Sequence, residues 1–303
     1  MTANVSQGRR TVLITGSCTP GGIGHALVKE FHARGLHVIA TGRRPEVLKE
    51  LTDIGVSAVA LDVTNAESIA ECKRQVTELT GGRLDILVNN ASGVSHTIPA
   101  TDIDLDEVRA TFETNVFSVM AMVQAFVPLL IATRGLIVNI SSLSSVSPYV
   151  FASVYSSTKG AINSYSRTLR QELRPFGVRV LVSMTGTVST SNPKAHRELP
   201  AGSLYMRMKD FFAARLQWSQ HNATMNNASF AKQLVSEALR GEGWFGGLLG
   251  GTRKWFWAGG LSTQVWLARW LFGETLLDEI TYRRFHLHKL EAEVRKDVAK
   301  RIN

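Results

Sequence analysis

Short apolar runs alternate with longer segments of helical periodicity along the first two thirds of the chain. The runs TVLIT, LHVIAT, SAVAL, LDILVNN, GLIVNIS and VRVLVSM predict buried strands at residues 11–15, 36–41, 57–61, 84–90, 135–141 and 178–184. Helical patterns separate them, the longest at 104–133 and 153–175. Strands that are apolar throughout and alternate with helices are typical of a parallel sheet covered on both faces. The pattern therefore predicts an α/β fold.

The last third of the chain has a different pattern. Residues 191–239 predict a helical flap, because LYMRMKDFFAARLQW carries apolar residues at helical spacing. The flap is either a lid over an apolar substrate or ordinary core packing. RKWFWA, at 253–258, predicts a last strand, and an aromatic helix follows Gly259 and Gly260. That helix is interrupted by charges and is not expected to span a membrane. Interfacial binding, an oligomer contact and packing against the domain stay open.

Length and composition favour a single domain over residues 1–303. The chain is 44% apolar and 19% charged, as is usual for a globular protein. We expect a core at 10–190, a substrate flap at 191–240 and an aromatic, basic extension at 241–303. The net charge is +9, and residues 281–303 carry seven basic side chains against three acidic ones. This tail predicts either contact with an anionic membrane surface or a solvated helix, and no nucleic-acid-binding motif accompanies it.

The cysteines and the N-terminus bear on the compartment. Cys18 and Cys72 are too few for a disulfide framework and lack the spacing of metal ligands, which indicates a reducing compartment and no metal. The N-terminus has no apolar signal segment. We expect a cytoplasmic protein, with the endoplasmic reticulum or the lipid droplet as the surface for any peripheral contact.

A glycine-rich loop follows the first strand directly. TVLIT leads into GSCTPGGIG and then into the helical pattern HALVKEFHARG. Strand, glycine loop and helix together present free backbone amides and a helix N-terminus to a phosphate. Gly16 allows the tight turn, Gly21 and Gly22 let a pyrophosphate approach, and Gly24 lets the helix pack on the strand. The alternative is an ordinary turn.

Two arginines at the end of the second strand indicate the nucleotide. Dinucleotide folds that bind NAD carry an acidic residue here, whereas this chain has Arg43 and Arg44. Arginine pairs well with a 2′-phosphate, so we favour NADP(H) over a solvated turn. Asp62 and Val63 end the third strand. The carboxylate of Asp62 is placed either to meet the adenine amino group or to cap the helix that begins near Asn65.

The stretch 135–173 contains the residues best suited to redox chemistry. Tyr155 and Lys159 are one helical turn apart, so the phenol and the ammonium lie on one face. The ammonium would lower the pKa of the phenol, and Ser142 would hydrogen-bond a substrate oxygen. Together they would manage the proton of a carbonyl-to-alcohol interconversion while a nicotinamide carries the hydride. The alternative is an ordinary amphipathic helix face. Asn115 needs a partner inside an apolar helix, either a water near the lysine or a neighbouring carbonyl.

These motifs, in this order, resemble the short-chain dehydrogenase/reductase family over residues 10–190. The resemblance rests on TGSCTPGGIG, Asp62-Val63, LVNNAS, Asn115, Ser142, Tyr155-x-x-x-Lys159 and TGTVST. It implies a Rossmann-type three-layer sandwich with a parallel sheet of about seven strands. It also implies that Tyr155 is the acid or base, that Lys159 lowers its pKa and binds the nicotinamide ribose, that Ser142 orients the carbonyl and that Asn115 anchors a relay water. The cofactor-binding set that it implies is Gly16, Thr19, Gly22, Ile23, Gly24, Arg43, Arg44, Asp62, Val63, Asn89, Ala91, Tyr155, Lys159, Val188 and Thr190.

The chain departs from the family pattern at three places. Five residues separate Gly16 from Gly22 where the family usually has three, so the loop must bulge. Ser92 replaces a glycine. Thr185 replaces a proline in the segment whose Val188 and Thr190 face the nicotinamide.

The longer glycine loop, the Thr185-Gly186 variant and the aromatic C-terminus resemble those of fungal reductases related to 1-acyldihydroxyacetone-phosphate reductase, which are similar to the 17β-hydroxysteroid dehydrogenase branch. The resemblance implies NADPH-dependent reduction of a lipophilic ketone, either a lipid or a polyketide or terpenoid intermediate, to a secondary alcohol. Oxidation of an alcohol and a catalytically silent cofactor-binding scaffold are the alternatives. Dimers or tetramers through the helices at 104–133 and 153–175 are also implied.

Overall fold

The computed structural model describes residues 8–93, 97–191, 197–244 and 249–302. Its strands, in chain order, are β1 Thr11–Ile14, β2 His37–Gly42, β3 Ser57–Ala60, β4 Ile86–Asn89, β5 Leu136–Ile140, β6 Arg179–Thr185, β7 Val188–Ser189, β8 Met225–Asn226 and β9 Trp255–Ala258. Its helices are α1 Ile23–Ala33, α2 Lys49–Thr52, α3 Ala66–Thr80, α4 Leu105–Phe112, α5 Ser118–Ile131, α6 Ser153–Leu173, α7 Lys209–His221, α8 Asn227–Ala238, α9 Ser262–Phe272, α10 Thr275–Arg284 and α11 Leu287–Ile302.

Seven strands form one parallel sheet in the order β3-β2-β1-β4-β5-β6-β9. The predicted Rossmann-type fold with seven parallel strands is therefore confirmed. The order reverses between β1 and β4, and the crevice at the carboxyl ends of such strands is where α/β proteins bind ligands. The glycine loop leaves β1 at this crevice. β7 and β8 pair separately as a small two-stranded sheet.

Alternate residues of the strands supply two cores, one on each face of the sheet. On β1, Val12 and Ile14 pack with residues of α1 and α8, whereas Leu13 packs with residues of α3, α5 and α6. All three side chains are fully buried. Because both faces are covered, the strands are apolar throughout, which is why their sequences read as continuous runs.

The long helix predicted at 104–133 is continuous but not uniform. α4 and α5 are joined by a π-helical turn at Glu113–Phe117, which contains Asn115. By length and composition the span Leu105–Ile131 is the one described helix that is apolar enough to cross a membrane. Half of its most apolar window is buried in the protein. α5 supplies side chains such as Phe126 and Leu130 to the core, so it is a core helix of the domain.

The segment predicted as one flap is divided between two roles. α8 buries Phe230, Leu234 and Val235 in the core beside α1, so the flap does not extend over 227–238. The physical reason is the apolar stripe of α8, which requires a partner surface. α7 buries only Phe212 and Arg215 and lies over the loop that precedes α6. The flap therefore corresponds to α7 and the residues just before it.

The C-terminal tail is tied to that flap. Phe285, between α10 and α11, is buried against Tyr149 and Trp218. Arg207 pairs with Asp297 of α11 at 2.5 Å. Removal of the tail from Thr281 onward would therefore also disturb the flap.

Candidate active site

The turn after β1 requires glycine at its first position. Gly16 has φ +70°, and a Cβ there would lie 2.7 Å from Ala91 Cα, which follows β4. Asn90 also holds the end of β4 against the turn after β1, because its side-chain nitrogen donates to the carbonyl oxygens of Thr15 at 2.8 Å and Gly16 at 3.0 Å. The glycine loop and the end of β4 are thus held together at the reversal point of the sheet.

Gly16→Ala is expected to destabilise the protein by roughly 2 kcal/mol or more, because a left-handed backbone and a clash with Ala91 combine. The measurement is denaturant unfolding of the variant and the wild type. Gly35→Ala is the matched control, because Gly35 also has positive φ but no atom within 4 Å of its added Cβ. Equal losses at the two positions would mean that the close approach to Ala91 carries no stability.

The longer glycine loop bulges towards the C-terminal half of the chain. The carbonyl oxygen of Gly21 accepts hydrogen bonds from Ser191 N at 3.3 Å and from the Asn227 side chain at 2.6 Å. α1 then begins after Gly22, without a side-chain cap and without an acidic residue in its first turn. Its N-terminal amides thus have no side-chain acceptor competing for them, as phosphate binding requires.

Two exposed arginines follow β2 beside this loop. Neither Arg43 nor Arg44 forms a salt bridge with a described residue. Cys18 Sγ donates to the backbone carbonyl of Arg44 at 3.4 Å, which brings this segment to the glycine loop. Asp62 accepts from Thr64 N and Oγ1, and these bonds, with a smaller contribution from Arg43, lower the pKa of Asp62. The cap of α3 is Asn65, so the capping alternative for Asp62 is wrong.

The serine, tyrosine and lysine meet where β5 ends and α6 begins. Ser142 Oγ accepts from Ser144 N at 3.2 Å and lies close enough to the phenol of Tyr155 to lower its pKa. Lys159 Nζ lies 5.7 Å from the centroid of the Tyr155 ring and donates to the carbonyl oxygen of Ile140 at 2.9 Å. Asn163, also on α6, accepts from Ser141 Oγ at 2.6 Å. The loop that carries Ser142 is thereby fastened to the helix that carries the other two residues.

Burial dominates the ionisation of this group. It raises the pKa of Tyr155, and the hydrogen bond of Ser142 opposes that shift. It also lowers the pKa of Lys159 to about 8. In the protein alone, then, Lys159 does not produce the lowered phenol pKa expected from the sequence, because desolvation exceeds the attraction of the ammonium. At neutral pH Tyr155 is a protonated phenol and can donate a proton.

Stability should depend on pH through Lys159. Its pKa falls from 10.5 in the unfolded chain to about 8 in the folded one, so between these values the unfolded state binds more protons and stability rises with pH. Lys159→Met lacks this dependence. The free energy of unfolding of the wild type, relative to Lys159→Met, should increase by roughly 2 to 3 kcal/mol from neutral pH to about pH 10. Urea unfolding at both pH values measures it, and an unchanged difference would contradict the buried ammonium.

Asn115 joins the end of β4 to α6. Its Oδ1 accepts from Gly93 N at 2.8 Å and from Ser92 Oγ at 3.1 Å, and its Nδ2 donates to Thr158 Oγ1 at 3.2 Å. The side chain of Asn115 is buried and both ends of its amide are used. These partners do not include the neighbouring carbonyl that was one alternative, and the relay water near Lys159 stays a prediction. Ser92, at the family's glycine position, supplies one of these bonds.

Asn89 has its side chain inside the fold, so a contact with the cofactor would have to come from its backbone. Its Nδ2 donates to Asn139 Oδ1 at 2.8 Å, and Asn139 donates in turn to Ser166 on α6. Its side chain therefore belongs to a buried chain of amides within the fold. The side chain that reaches the glycine loop is that of Asn90, which the sequence analysis missed. The double asparagine was the available signal, and only the strand register decides which of the two faces the loop.

The segment after β6 is fastened to the flap. Gln220 at the end of α7 accepts from Thr190 N at 3.0 Å, and its Nε2 lies 3.3 Å from the carbonyl oxygen of Val188. Thr185, which replaces the family's proline, hydrogen-bonds Ser183. Gly186 contacts Gly259 and Gly260 so closely that a Cβ would not fit. The predicted nicotinamide-side residues Val188 and Thr190 thus lie between the glycine loop and α7.

These residues fit a dinucleotide. Gly16 lets the loop turn tightly beside Ala91, the N-terminus of α1 is uncapped, and Arg43 and Arg44 supply positive charge beyond it. A bound nicotinamide would supply the hydride. The chain would hold it with the glycine loop, the segment of Val188 and the other predicted contacts, which are Thr19, Ile23, Val63 and Ala91. Ser142 would orient a carbonyl oxygen, and Tyr155 would donate the proton to that oxygen.

The fold and the site together define a nicotinamide-dependent oxidoreductase. The family described as short chain dehydrogenase matches residues 10–200, more than half of the chain. The chain therefore belongs to the short-chain dehydrogenase/reductase family, as the resemblance predicted, and it is an NAD(P)-dependent enzyme of that family.

Several fungal proteins are similar to it. The short-chain dehydrogenase fogD of Aspergillus ruber is 40% identical over 281 residues, which are 92% of this chain and 94% of that protein. The NADPH-dependent 1-acyldihydroxyacetone phosphate reductase of Schizosaccharomyces pombe is 41% identical over 66% of this chain and 69% of its own length. A short-chain dehydrogenase structure from Streptomyces avermitilis superposes with a TM-score of 0.75, at 26% identity over 96% of this chain and 100% of that chain. The predicted similarity to fungal reductases is confirmed.

Proposed function

We propose that this chain is an NADPH-dependent reductase that converts a ketone of a lipophilic substrate into a secondary alcohol. The observation that carries the proposal is the arrangement of Tyr155 beside Ser142 and Lys159, with Lys159 Nζ 5.7 Å from the Tyr155 ring centroid. Burial raises the pKa of the Tyr155 phenol, so the phenol is protonated at neutral pH. Reduction needs a proton donor at this place, whereas oxidation needs a phenolate. A protonated Tyr155 can supply the proton that reduction requires.

NADPH is favoured over NADH by the charges at the end of β2. Arg43 and Arg44 are exposed and free of salt bridges with described residues, so their guanidinium groups are available to a 2′-phosphate. The relative from Schizosaccharomyces pombe is named as NADPH-dependent, which supports the same choice.

The flap supports an apolar substrate. Phe151, between Ser142 and Tyr155, contacts Tyr205 and Phe212 edge to face, with ring centroids 5.1 and 5.5 Å away. These rings cover the loop that carries the catalytic serine. Lipid ketones and the polyketide or terpenoid ketones of fungal biosynthesis have the apolar surface that such a lining would bury.

The test is NADPH oxidation, followed by its absorbance, with acyl-dihydroxyacetone phosphates, steroids and polyketide ketones. Turnover on at least one class, absent in Tyr155→Phe, is the expected result. Binding of NADPH without turnover on any class, together with oxidation of the matching alcohols, would overturn the reductive assignment.

The C-terminal region remains the subject of two predictions, membrane contact and oligomer formation. α9 exposes Trp266, Trp270 and Phe272, and the two tryptophan rings stack with centroids 6.4 Å apart. Exposed tryptophans suit both a membrane interface and a protein contact.

A further inference from the structure

Arg215 is a buried cation that has no acidic partner among the described residues. It lies on α7, is 2% exposed, and forms no salt bridge with any residue that the structure describes. Burying a charge is costly unless it is paired and hydrogen-bonded. Arg215 therefore needs an explanation beyond its contribution to packing.

Aromatic rings satisfy the flat faces of the guanidinium. Its central carbon lies 3.5 Å from the ring centroid of Tyr149 and 5.1 Å from that of Phe285. Tyr149, Phe285 and Trp218 also contact one another edge to face, at 5.6 to 6.0 Å between centroids. Cation–π contacts of this kind stabilise a guanidinium from above and below. They leave its edges to be satisfied by hydrogen bonds.

One complete edge of the guanidinium has no partner. Nε and Nη2 of Arg215 are both buried and have no hydrogen-bond partner within the described chain. These two nitrogens lie side by side in the plane of the group, where arginine binds the two oxygens of a carboxylate or phosphate in parallel. A buried charged donor left unsatisfied is among the costliest polar defects of a fold.

Arg215 lies beside the catalytic site. Tyr149 belongs to the loop between Ser142 and Tyr155 and is close enough to Tyr155 to act on its ionisation. Gln220, at the other end of the helix, contacts Thr190 in the segment beside the nicotinamide site. Five residues of helix span about 7.5 Å. Arg215 therefore lies a short distance from Gln220, and it contacts Tyr149 of the catalytic loop directly.

The helix that carries Arg215 is held by few contacts, and a second arginine and a histidine pack on its aromatic side chains. Among the thirteen residues of α7 only Phe212 and Arg215 are buried. A helix with so few buried side chains shifts at low cost, and such a shift would open the unpartnered edge. Arg284 lies over the Trp218 ring at 5.1 Å, and His286 packs on Phe211.

We propose that the Nε–Nη2 edge of Arg215 binds the two oxygens of a carboxylate or phosphate carried by the ketone substrate. The proposal rests on the proposed function, because it assigns a group of the same substrate. The substrate would then be amphiphilic. Its ketone would lie at Tyr155 and Ser142, and its anionic group would lie beneath α7 between aromatic rings.

Calorimetric titration of the NADP⁺-saturated protein tests the proposal with three probes of one chain length, namely decanoate, decyl phosphate and decanol. We expect one anion to bind at least about tenfold more tightly than decanol, as two charge-assisted hydrogen bonds predict. The tighter of the two anions distinguishes a carboxylate from a phosphate. Binding of both anions no tighter than decanol would overturn the proposal.

Three variants separate recognition from structure. Arg215→Met should remove the preference for the anion, and Arg215→Lys should weaken it by about tenfold, because lysine keeps the charge but lacks the paired donors. Arg207→Met is the control, since Arg207 is an exposed cation just before α7 that pairs with Asp297. An equal loss of decanol and anion binding at position 215 would show a purely structural role and overturn the proposal.

A measurement on the wild type alone guards against variants that do not fold. The anion that binds should slow amide hydrogen exchange in α7, and decanol should not. Equal protection by the two probes would also overturn the proposal. These experiments measure binding and not turnover. A protein that fails to reduce ketones would therefore contradict the proposed function, whereas the anion site at Arg215 would still be decided by the titrations.

Discussion

Tyr155→Phe should lower kcat for ketone reduction by at least about a thousandfold, within the range that a positioned general acid contributes. The phenol of Tyr155 is the protonated group that Ser142 holds at the catalytic edge of the sheet. Phenylalanine keeps the ring, and therefore the contact with the Lys159 ammonium, but it has no proton to give. The affinity for NADPH, measured by fluorescence titration, should change by less than about threefold, because no charged contact is lost.

Tyr165→Phe is the matched control for this change. Tyr165 lies on the same helix, packs against the core residues of that face and also has a pKa raised by burial, to about 12. Its hydroxyl has no part in the proposed chemistry, so turnover of this variant should match the wild type. Similar kcat values for Tyr155→Phe and Tyr165→Phe would contradict the role of Tyr155 as the proton donor.

The fold was predictable because the buried parallel strands leave a strong local signal. All seven strands of the large sheet lie within about two residues of their predicted places, since β-branched and aliphatic runs such as TVLIT have few other ways to bury both faces. Glycine was equally informative at position 16, where the positive φ and the approach to Ala91 exclude any side chain. Local constraints of this kind can be read from one sequence.

Side-chain direction was less predictable than position. Asn89 and Asn90 are adjacent, and the strand register turns the first into the core and the second towards the glycine loop. No glycine or proline in the sequence indicates the π-helical turn around Asn115. Phe151 adopts φ +65°, a left-handed conformation uncommon for a bulky side chain, in the loop beside the catalytic serine. Such features are set by tertiary contacts.

The C-terminal third showed the same limit at a larger scale. The periodicity of residues 209–221 and 227–238 is helical in both cases, yet α8 completes the core whereas α7 covers the catalytic loop. Arg215 is an ordinary residue in the sequence, and its burial depends on rings from two distant segments. Long-range packing of this kind cannot be inferred from spacing.

Arg43→Ala with Arg44→Ala should weaken NADPH binding by roughly a hundredfold, because two charge-assisted hydrogen bonds to the 2′-phosphate are lost. NADH has no such phosphate, so its Kd should change by less than about threefold. The backbone carbonyl of Arg44 still accepts from Cys18 in the double variant, which keeps the glycine loop tied to the end of β2. Fluorescence titration with both nucleotides measures the two affinities.

Arg109→Ala is the control for the change in net charge. Arg109 is an exposed arginine of α4 that pairs with Asp106 on its own helix, and its loss should leave both affinities unchanged. If the double variant lost affinity for NADPH and NADH by the same factor, the two arginines would support the glycine loop and would not bind the 2′-phosphate. A selective loss of NADPH would assign the nucleotide preference to the end of β2, because the adenosine ribose of a dinucleotide lies there in this class of fold.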